Sequence, residues 1–188
     1  MTDSILSTFV DPRLQWCVVL GAALVAAIYD FRERRIPNAL TGSLWLTGLA
    51  CAALGAGAAG LGLALLASLL LALPYVILFV FAGGGAGDAK MMAGVGAWLG
   101  LASGGLALAS VCFAGVVIAL GWAWSQRSLP QVASSLQVMT AGLVAPFFGR
   151  SWKDSADLLP AVHDDQKMPY GLAILVGLLA ASLIHFLS

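Results

Sequence analysis

Charged residues are scarce in this chain, and its cysteines and histidines lack metal-site spacing. Of 188 residues only 10% are charged and two are histidine, whereas about a quarter of an ordinary soluble domain is charged. Cys17, Cys51 and Cys112 stand in separate apolar stretches, so neither a zinc-ribbon spacing nor a disulfide framework is indicated. The formal net charge is zero, so the overall balance does not indicate binding to nucleic acid.

Apolar residues make up 61% of the sequence, and the mean hydropathy is +0.96. A membrane helix takes about 20 such residues. The sequence therefore predicts an all-α polytopic membrane protein with about six transmembrane helices in one bundle, residues 1–188 forming one integral-membrane domain. The expected spans are Leu14–Tyr29, Ala39–Leu54, Leu61–Phe81, Met91–Leu101, Leu106–Trp124 and Tyr170–Leu187.

Basic residues fall almost entirely on one side of these spans. Arg13 lies on one face, and with six spans the other eight Lys and Arg residues lie on the opposite face. Cytoplasmic loops are enriched in Lys and Arg, so we expect that face to be cytoplasmic and both termini to be outside. The eight residues are Arg32, Arg34, Arg35, Lys90, Arg127, Arg150, Lys153 and Lys167.

The N-terminal segment and the long polar stretch between spans 5 and 6 give further indications. The first 16 residues lack the basic n-region of a secretory signal, so the first span is expected to be retained. Between spans 5 and 6, the polar stretch Gln126–Met168 has apolar residues at helical spacing, which predicts an interfacial helix within a cytoplasmic loop. His163, Asp164 and Asp165 are consecutive there, and we expect no metal site from them.

Two carboxylates stand at the same edge of the predicted bundle. Asp30 ends span 1 in YDFRERRIPN, and Asp88 precedes span 4 in GGGAGDAK. The chain crosses out and back between them, so both return to the cytoplasmic boundary. Like charges in a poorly hydrated site share a proton and titrate as a coupled unit. Such a pair is suited to aspartic proteolysis without a metal or organic cofactor, one member acting as base and the other as acid.

Plainer interpretations of the two carboxylates remain open. Asp30 could end its helix or pair with a following arginine, and Asp88 could cap the next helix. The protein could then be a secretion-system scaffold, or a transporter in which the two carboxylates relay protons. No carboxylate lies at the middle of a span, which disfavours a proton relay. The glycine-rich stretch is neither GxGxxG nor GxxxxGK[ST], which argues against a phosphate-binding loop.

The motifs around these carboxylates resemble those of the type IV prepilin peptidases, membrane aspartic proteases of the GxGD class. YDFRERRIPNALT resembles the first aspartate segment of that family, and GAGDAKMMAGVGAWLG resembles the second. MPYGLAILVG resembles the entry to the last helix. The correspondence runs in the same order over nearly the whole chain.

The resemblance implies that Asp30 and Asp88 are a catalytic dyad that needs no cofactor. It also implies prepilin or pseudopilin substrates, cut after a glycine at the cytoplasmic face of the inner membrane. The short form, without a cysteine-rich domain, is most similar to enzymes of tight-adherence (Tad/Flp) pili, and archaeal preflagellin peptidases are a lesser possibility. The implied residues that shape the site or bind substrate are Gly85, Gly87, Lys90, Pro37, Asn38, Pro169 and Gly171.

Three of these residues have specific structural expectations. Pro37 is expected to be the first residue of the second span, with Asn38 forming hydrogen bonds near the site. Lys90, two positions after Asp88, is expected to point away from it and reach lipid head groups, although a role in tuning the aspartate pair is also open. The oligomeric state stays open.

Overall fold

The structure, a computed structural model, describes residues 11–82, 85–125 and 170–187. These ranges form four helices: α1 (Pro12–Glu33), α2 (Asn38–Ala82), α3 (Ala86–Ser125) and α4 (Gly171–Leu187). The expected all-α class is confirmed for them. The expected interfacial helix within Gln126–Met168, and Pro169, lie outside the described residues.

Helix α1 begins and ends at residues with well-defined capping geometry. Asp11 precedes it, and its side chain accepts a hydrogen bond of 2.8 Å from the backbone of Arg13, while Pro12 occupies the first turn. At the other end Arg34 adopts a left-handed conformation (φ 52°), and its N–H bonds the carbonyl of Asp30. Because Pro37 disfavours helical geometry at Ile36, the chain turns there before α2.

Helix α2 folds back on itself. Ala56 and Gly57 are non-helical, and the φ of Gly57 is 60°. The indole nitrogen of Trp45 donates to the hydroxyl of Ser68 at 3.1 Å, although 23 residues of straight helix would separate them by about 35 Å. The two segments of α2, residues 38–55 and 58–82, therefore pack side by side, and the loop expected between Leu54 and Leu61 shrinks to two residues.

Helix α3 also has a break, at Gly100, where φ is 69° and ψ is −165°. The expected turn Gly100–Gly105 therefore starts at the right glycine but needs only that residue. On either side of the break, glycines face the second segment of α2: Gly96 against Ala67, and Gly104 against Leu71. The helix begins at Ala86, five residues before the expected start of the fourth span.

Within the part of the chain that the structure describes, three helices are long and apolar enough to cross a membrane: α1, Asn38–Val80 of α2 and Ala86–Gly121 of α3. Helix α4 is apolar but shorter, at 17 residues. The protein is accordingly a membrane protein, and the expected count of about six crossings stays a prediction.

The first segment of α3, residues 86–99, lies at the centre of the bundle. Met91, Met92 and Val95 are fully buried, in one cluster with Val19 of α1 and Leu178 of α4. Since this segment also carries Asp88, the core fixes one of the two candidate carboxylates relative to the other helices.

We expect Gly96→Ala to destabilise the protein. A Cβ at Gly96 would lie 2.7 Å from the carbonyl oxygen of Ala67 and 2.9 Å from Cα of Ser68, and backbone atoms cannot move aside as flexible side chains do. Overpacking of this kind costs about 1–3 kcal/mol. Thermal unfolding in detergent should show a lower midpoint. Gly105→Ala is the matched control on α3, since nothing lies within 4 Å of its added Cβ; an equal loss in both variants would contradict the packing argument.

Candidate active site

Asp30 lies in the last turns of α1 and is half-buried. Its Oδ2 accepts a hydrogen bond of 2.7 Å from the backbone N–H of Gly171, the first residue of α4. A helix N-terminus has free N–H groups and partial positive charge, which favour a carboxylate. The bond thus joins two chain segments 141 residues apart.

Gly171 has no room for a side chain. A Cβ there would lie 2.9 Å from Cβ of Asp30, 3.0 Å from its Oδ2 and 3.2 Å from Cα of Ala27. Only glycine lets the backbone of α4 approach Asp30 closely enough to donate this hydrogen bond. The structure therefore gives Gly171 a specific role in shaping the surroundings of Asp30.

Asp88 lies in the first turn of α3 and is half-buried. Its backbone N–H donates to the carbonyl of Gly85 at 3.2 Å, so Asp88 lies inside the helix and not at the capping position. The carboxyl group folds back over Gly85, where an added Cβ would lie 2.7 Å from Oδ2 of Asp88. At Gly87 an added Cβ would lie 3.2 Å from Cβ of Ile36, so this glycine lets α3 start against the turn that follows α1.

The two carboxylates lie within electrostatic range of each other, since the charge of Asp30 acts on Asp88. Asp30 reaches this end of the bundle from α1, and Asp88 reaches it from the start of α3. In the turn that follows α1, Arg35 forms an ion pair with Glu33 at 3.1 Å, and both side chains are largely exposed. Asp30 has a backbone partner in α4. This contact was predicted neither by the interpretation that Asp30 ends its helix nor by the one that it pairs with a following arginine.

Lys90, which was expected to reach lipid head groups, is exposed and also has a partner within the protein. Its Nζ donates to the side-chain oxygen of Asn38 at 2.8 Å. This contact ties the start of α3 to the start of α2. The contact forms because Asn38 is the first residue of α2 and the two helix ends are adjacent, and the lipid-facing role of Lys90 stays a prediction.

Pro37 lies one residue outside α2 and not at its first helical position. Its carbonyl accepts hydrogen bonds from the N–H groups of Leu40 and Thr41, at 3.1 and 3.3 Å. The residue therefore occupies the capping position, and the helix begins at Asn38. The shift of one residue places the side chain of Asn38 in reach of Lys90.

Sequence reasoning missed two tyrosines beside the aspartates. Tyr75, on the second segment of α2, is 5% exposed, and its ring meets the ring of Tyr170 edge-on with centroids 6.1 Å apart. Tyr170 directly precedes α4, and its hydroxyl occupies the space that a Cβ at Gly115 would need, 2.6 Å away. Both tyrosines interact electrostatically with Asp88. A polar ring inside the apolar run LPYVIL was the available signal.

Burial raises the pKa of the Tyr170 phenol above its ordinary value. The group therefore stays protonated at neutral pH. Among the described residues, no group of three or more His, Cys, Asp or Glu side chains is placed to hold a metal ion. His163, Asp164, Asp165 and Pro169 lie outside those residues.

Comparison with known proteins gave one positive result. A family model described as the type IV leader peptidase family matches residues 17–120, more than half of the chain. The matched range contains both aspartates, Asn38, Tyr75 and Lys90, but ends before Gly171. Neither the curated proteins nor the solved structures gave a match.

Proposed function

Because the chain belongs to the type IV leader peptidase family, we propose that it is a membrane aspartic endopeptidase of the GxGD type, with Asp30 and Asp88 as the catalytic dyad. The observation that carries this proposal is the convergence of the two carboxylates from α1 and α3 at one end of the bundle. Family membership supports a leader peptidase acting on prepilins. The dyad supplies the chemistry that such an activity needs.

In the proposed reaction the two carboxyl groups share one proton. The ionised member takes a proton from a water molecule as the water oxygen attacks the scissile carbonyl. The protonated member hydrogen-bonds the carbonyl oxygen as that oxygen becomes negatively charged. Collapse of the tetrahedral intermediate breaks the C–N bond, the leaving nitrogen takes a proton from the dyad, and the dyad is restored with one proton.

The supporting residues fit this chemistry. Gly171 donates to Asp30 through its backbone, and Gly85 leaves space for the Asp88 carboxyl. Gly87 lets the two aspartate segments meet through Ile36, and the hydrogen bond between Lys90 and Asn38 holds those segments together. No metal or organic cofactor takes part in the proposed reaction.

We further propose that the dyad works at the cytoplasmic face of the inner membrane. Arg34 and Arg35, which follow α1, and Lys90 lie at the end of the bundle that carries the two aspartates. Cytoplasmic loops are enriched in such basic residues. The fold-back at Gly57 and the break at Gly100 would let α2 and α3 each cross twice, which would give six crossings and place both termini outside. The substrates would be Flp-like prepilins and pseudopilins, whose hydrophobic helix docks along the bundle.

Cleavage of a prepilin in membranes tests the function. A Flp-like prepilin with a basic leader and a glycine before the cleavage site is mixed with membranes containing the wild-type protein. Mass spectrometry then gives the N-terminus of the product. Cleavage directly after that glycine is the expected result, whereas intact substrate with several cognate prepilins would overturn the proposal and favour a transporter or scaffold.

Lys90 and Asn38 should contribute to turnover through their shared hydrogen bond, so that the effects of replacing them are coupled. A hydrogen bond of this kind is worth about 0.5–1.5 kcal/mol, so Lys90→Met and Asn38→Ala should each lower kcat by roughly two- to tenfold. The double variant should lose no more than the larger single loss. Arg35→Gln is the control, since its pair with Glu33 is exposed. Fully additive losses in the double variant would show that the contact does not couple the residues.

A further inference from the structure

The side chain of Tyr75 is buried beside the proposed dyad with its hydroxyl unused. It is 5% exposed, and its Oη has no hydrogen-bond partner among the described residues. The Tyr170 hydroxyl interacts with it, but outside hydrogen-bond geometry. A buried hydroxyl without a hydrogen-bond partner destabilises the folded protein, so its presence in an apolar helix calls for an explanation.

The carboxyl of Asp88 provides the complementary group. It forms no side-chain hydrogen bond with another described residue. Its chain neighbour Ala89 lies in the same buried cluster as Tyr75, and Asp88 is close enough to interact electrostatically with Tyr75. The Tyr75 hydroxyl on α2 is therefore a donor without an acceptor among the described residues, and the Asp88 carboxyl on the neighbouring helix α3 is an acceptor without a donor among them. Asp30 differs, because one of its oxygens already accepts the N–H of Gly171.

The surroundings hold the Tyr75 ring near Asp88. The Tyr170 ring packs against it edge-on, and the Tyr170 hydroxyl is fixed over Gly115, which has no room for a Cβ. Pro74, which precedes Tyr75, lacks an N–H and cannot bond the carbonyl four residues earlier. The helix is thus weakened at the residue before Tyr75, so a small adjustment there can move the hydroxyl toward Asp88.

We propose that Tyr75 is a positioning residue, whose hydroxyl donates a hydrogen bond to the Asp88 carboxylate during turnover. Each catalytic cycle passes through a state in which Asp88 is ionised, either before water attack or after its proton has left for the substrate nitrogen. A phenol donor stabilises that carboxylate and sets its orientation. The inference rests on the proposed function and adds to it a residue on α2.

Tyr75→Phe tests this inference because it removes only the hydroxyl. We expect kcat to fall by about 10- to 100-fold, with little change in KM. The reason is that the lost hydroxyl would stabilise the ionised carboxylate of Asp88 during turnover and would not bind the substrate. The unfolding midpoint should stay the same or rise, since a buried hydroxyl without a partner is removed. A purely structural role predicts no loss of kcat.

The pH–rate profile separates positioning from packing. The titratable groups around Asp88 are Asp30 on α1, Tyr75 on α2, Tyr170 before α4, Cys112 near both tyrosines, and Lys90 on its own helix. Without the Tyr75 donor the ionised form of Asp88 is harder to reach, so the acidic limb should move to higher pH in Tyr75→Phe. A packing defect would lower the rate without moving that limb.

Ser68→Ala is the matched control on the same helix segment. Its hydroxyl is also buried, but it donates to Ala64 and accepts from Trp45. That variant should lose stability and keep kcat, the opposite pattern to Tyr75→Phe. If wild type cleaves prepilin and Tyr75→Phe has the wild-type kcat and pH profile, this inference fails while the proposed function stands; if wild type does not cleave, the proposed function itself fails.

Discussion

We expect Asp88→Asn and Asp30→Asn each to abolish leader cleavage while the protein still accumulates in the membrane, which is the largest effect that the proposed site predicts. An amide cannot take a proton from water or return one to the leaving nitrogen. The loss should therefore be roughly a thousandfold or more. It is measured as product formed per enzyme in membranes, with enzyme abundance determined by immunoblotting.

Asp11→Asn is the matched control for this pair. Asp11 caps α1 by accepting from the backbone of Arg13, and Asn caps a helix about as well as Asp. That variant makes the same chemical change near the end of α1 away from Asp30 and should cleave normally. Normal cleavage by either dyad variant would show that its aspartate is not catalytic and would favour a capping role.

Gly171→Ala should have the second largest effect, about a hundredfold loss of kcat. The added methyl group would lie 2.9 Å from Cβ of Asp30 and 3.2 Å from Cα of Ala27, so α4 must move away. The hydrogen bond from the Gly171 backbone to Asp30, now 2.7 Å, is lost with that movement. Steady-state kinetics with a prepilin peptide would measure the change.

Gly21→Ala controls for the effect of an added methyl group. Gly21 lies in α1 with nothing within 4 Å of its added Cβ. The change should leave kcat unaltered and raise helix stability by about 0.5–1 kcal/mol. Wild-type kcat in Gly171→Ala would mean that the close approach of α4 to Asp30 does not matter for turnover.

Much of the helical organisation follows from local signals. The apolar runs predicted helices in every described range. Asp11 and Pro12 mark the start of α1 as capping residues do. Glycines mark the breaks at Gly57 and Gly100, where positive φ angles occur. Errors arose at the connections, which are shorter than expected because helical geometry continues almost to each break.

The contacts around the candidate site did not follow from spacing. The sequence indicated that Asp30 and Asp88 return to one boundary, but it did not predict the hydrogen bond between Lys90 and Asn38. Tyr75 was not singled out, because one tyrosine in an apolar run resembles ordinary core. The tight-adherence subtype, the cytoplasmic orientation and the residue roles stay predictions.

The sequence by itself determined an all-helical membrane protein and the two aspartate motifs, because hydrophobic runs, caps and glycine breaks act over a few neighbouring residues. Tertiary structure decided which helix ends meet. The N–H of Gly171 reaches Asp30 across 141 residues of chain, and Tyr170 packs on Tyr75, through close packing that no local pattern specifies. Helix neighbours in a bundle are selected by how small and large side chains fit between helices, and that fit exists only once the chain has folded.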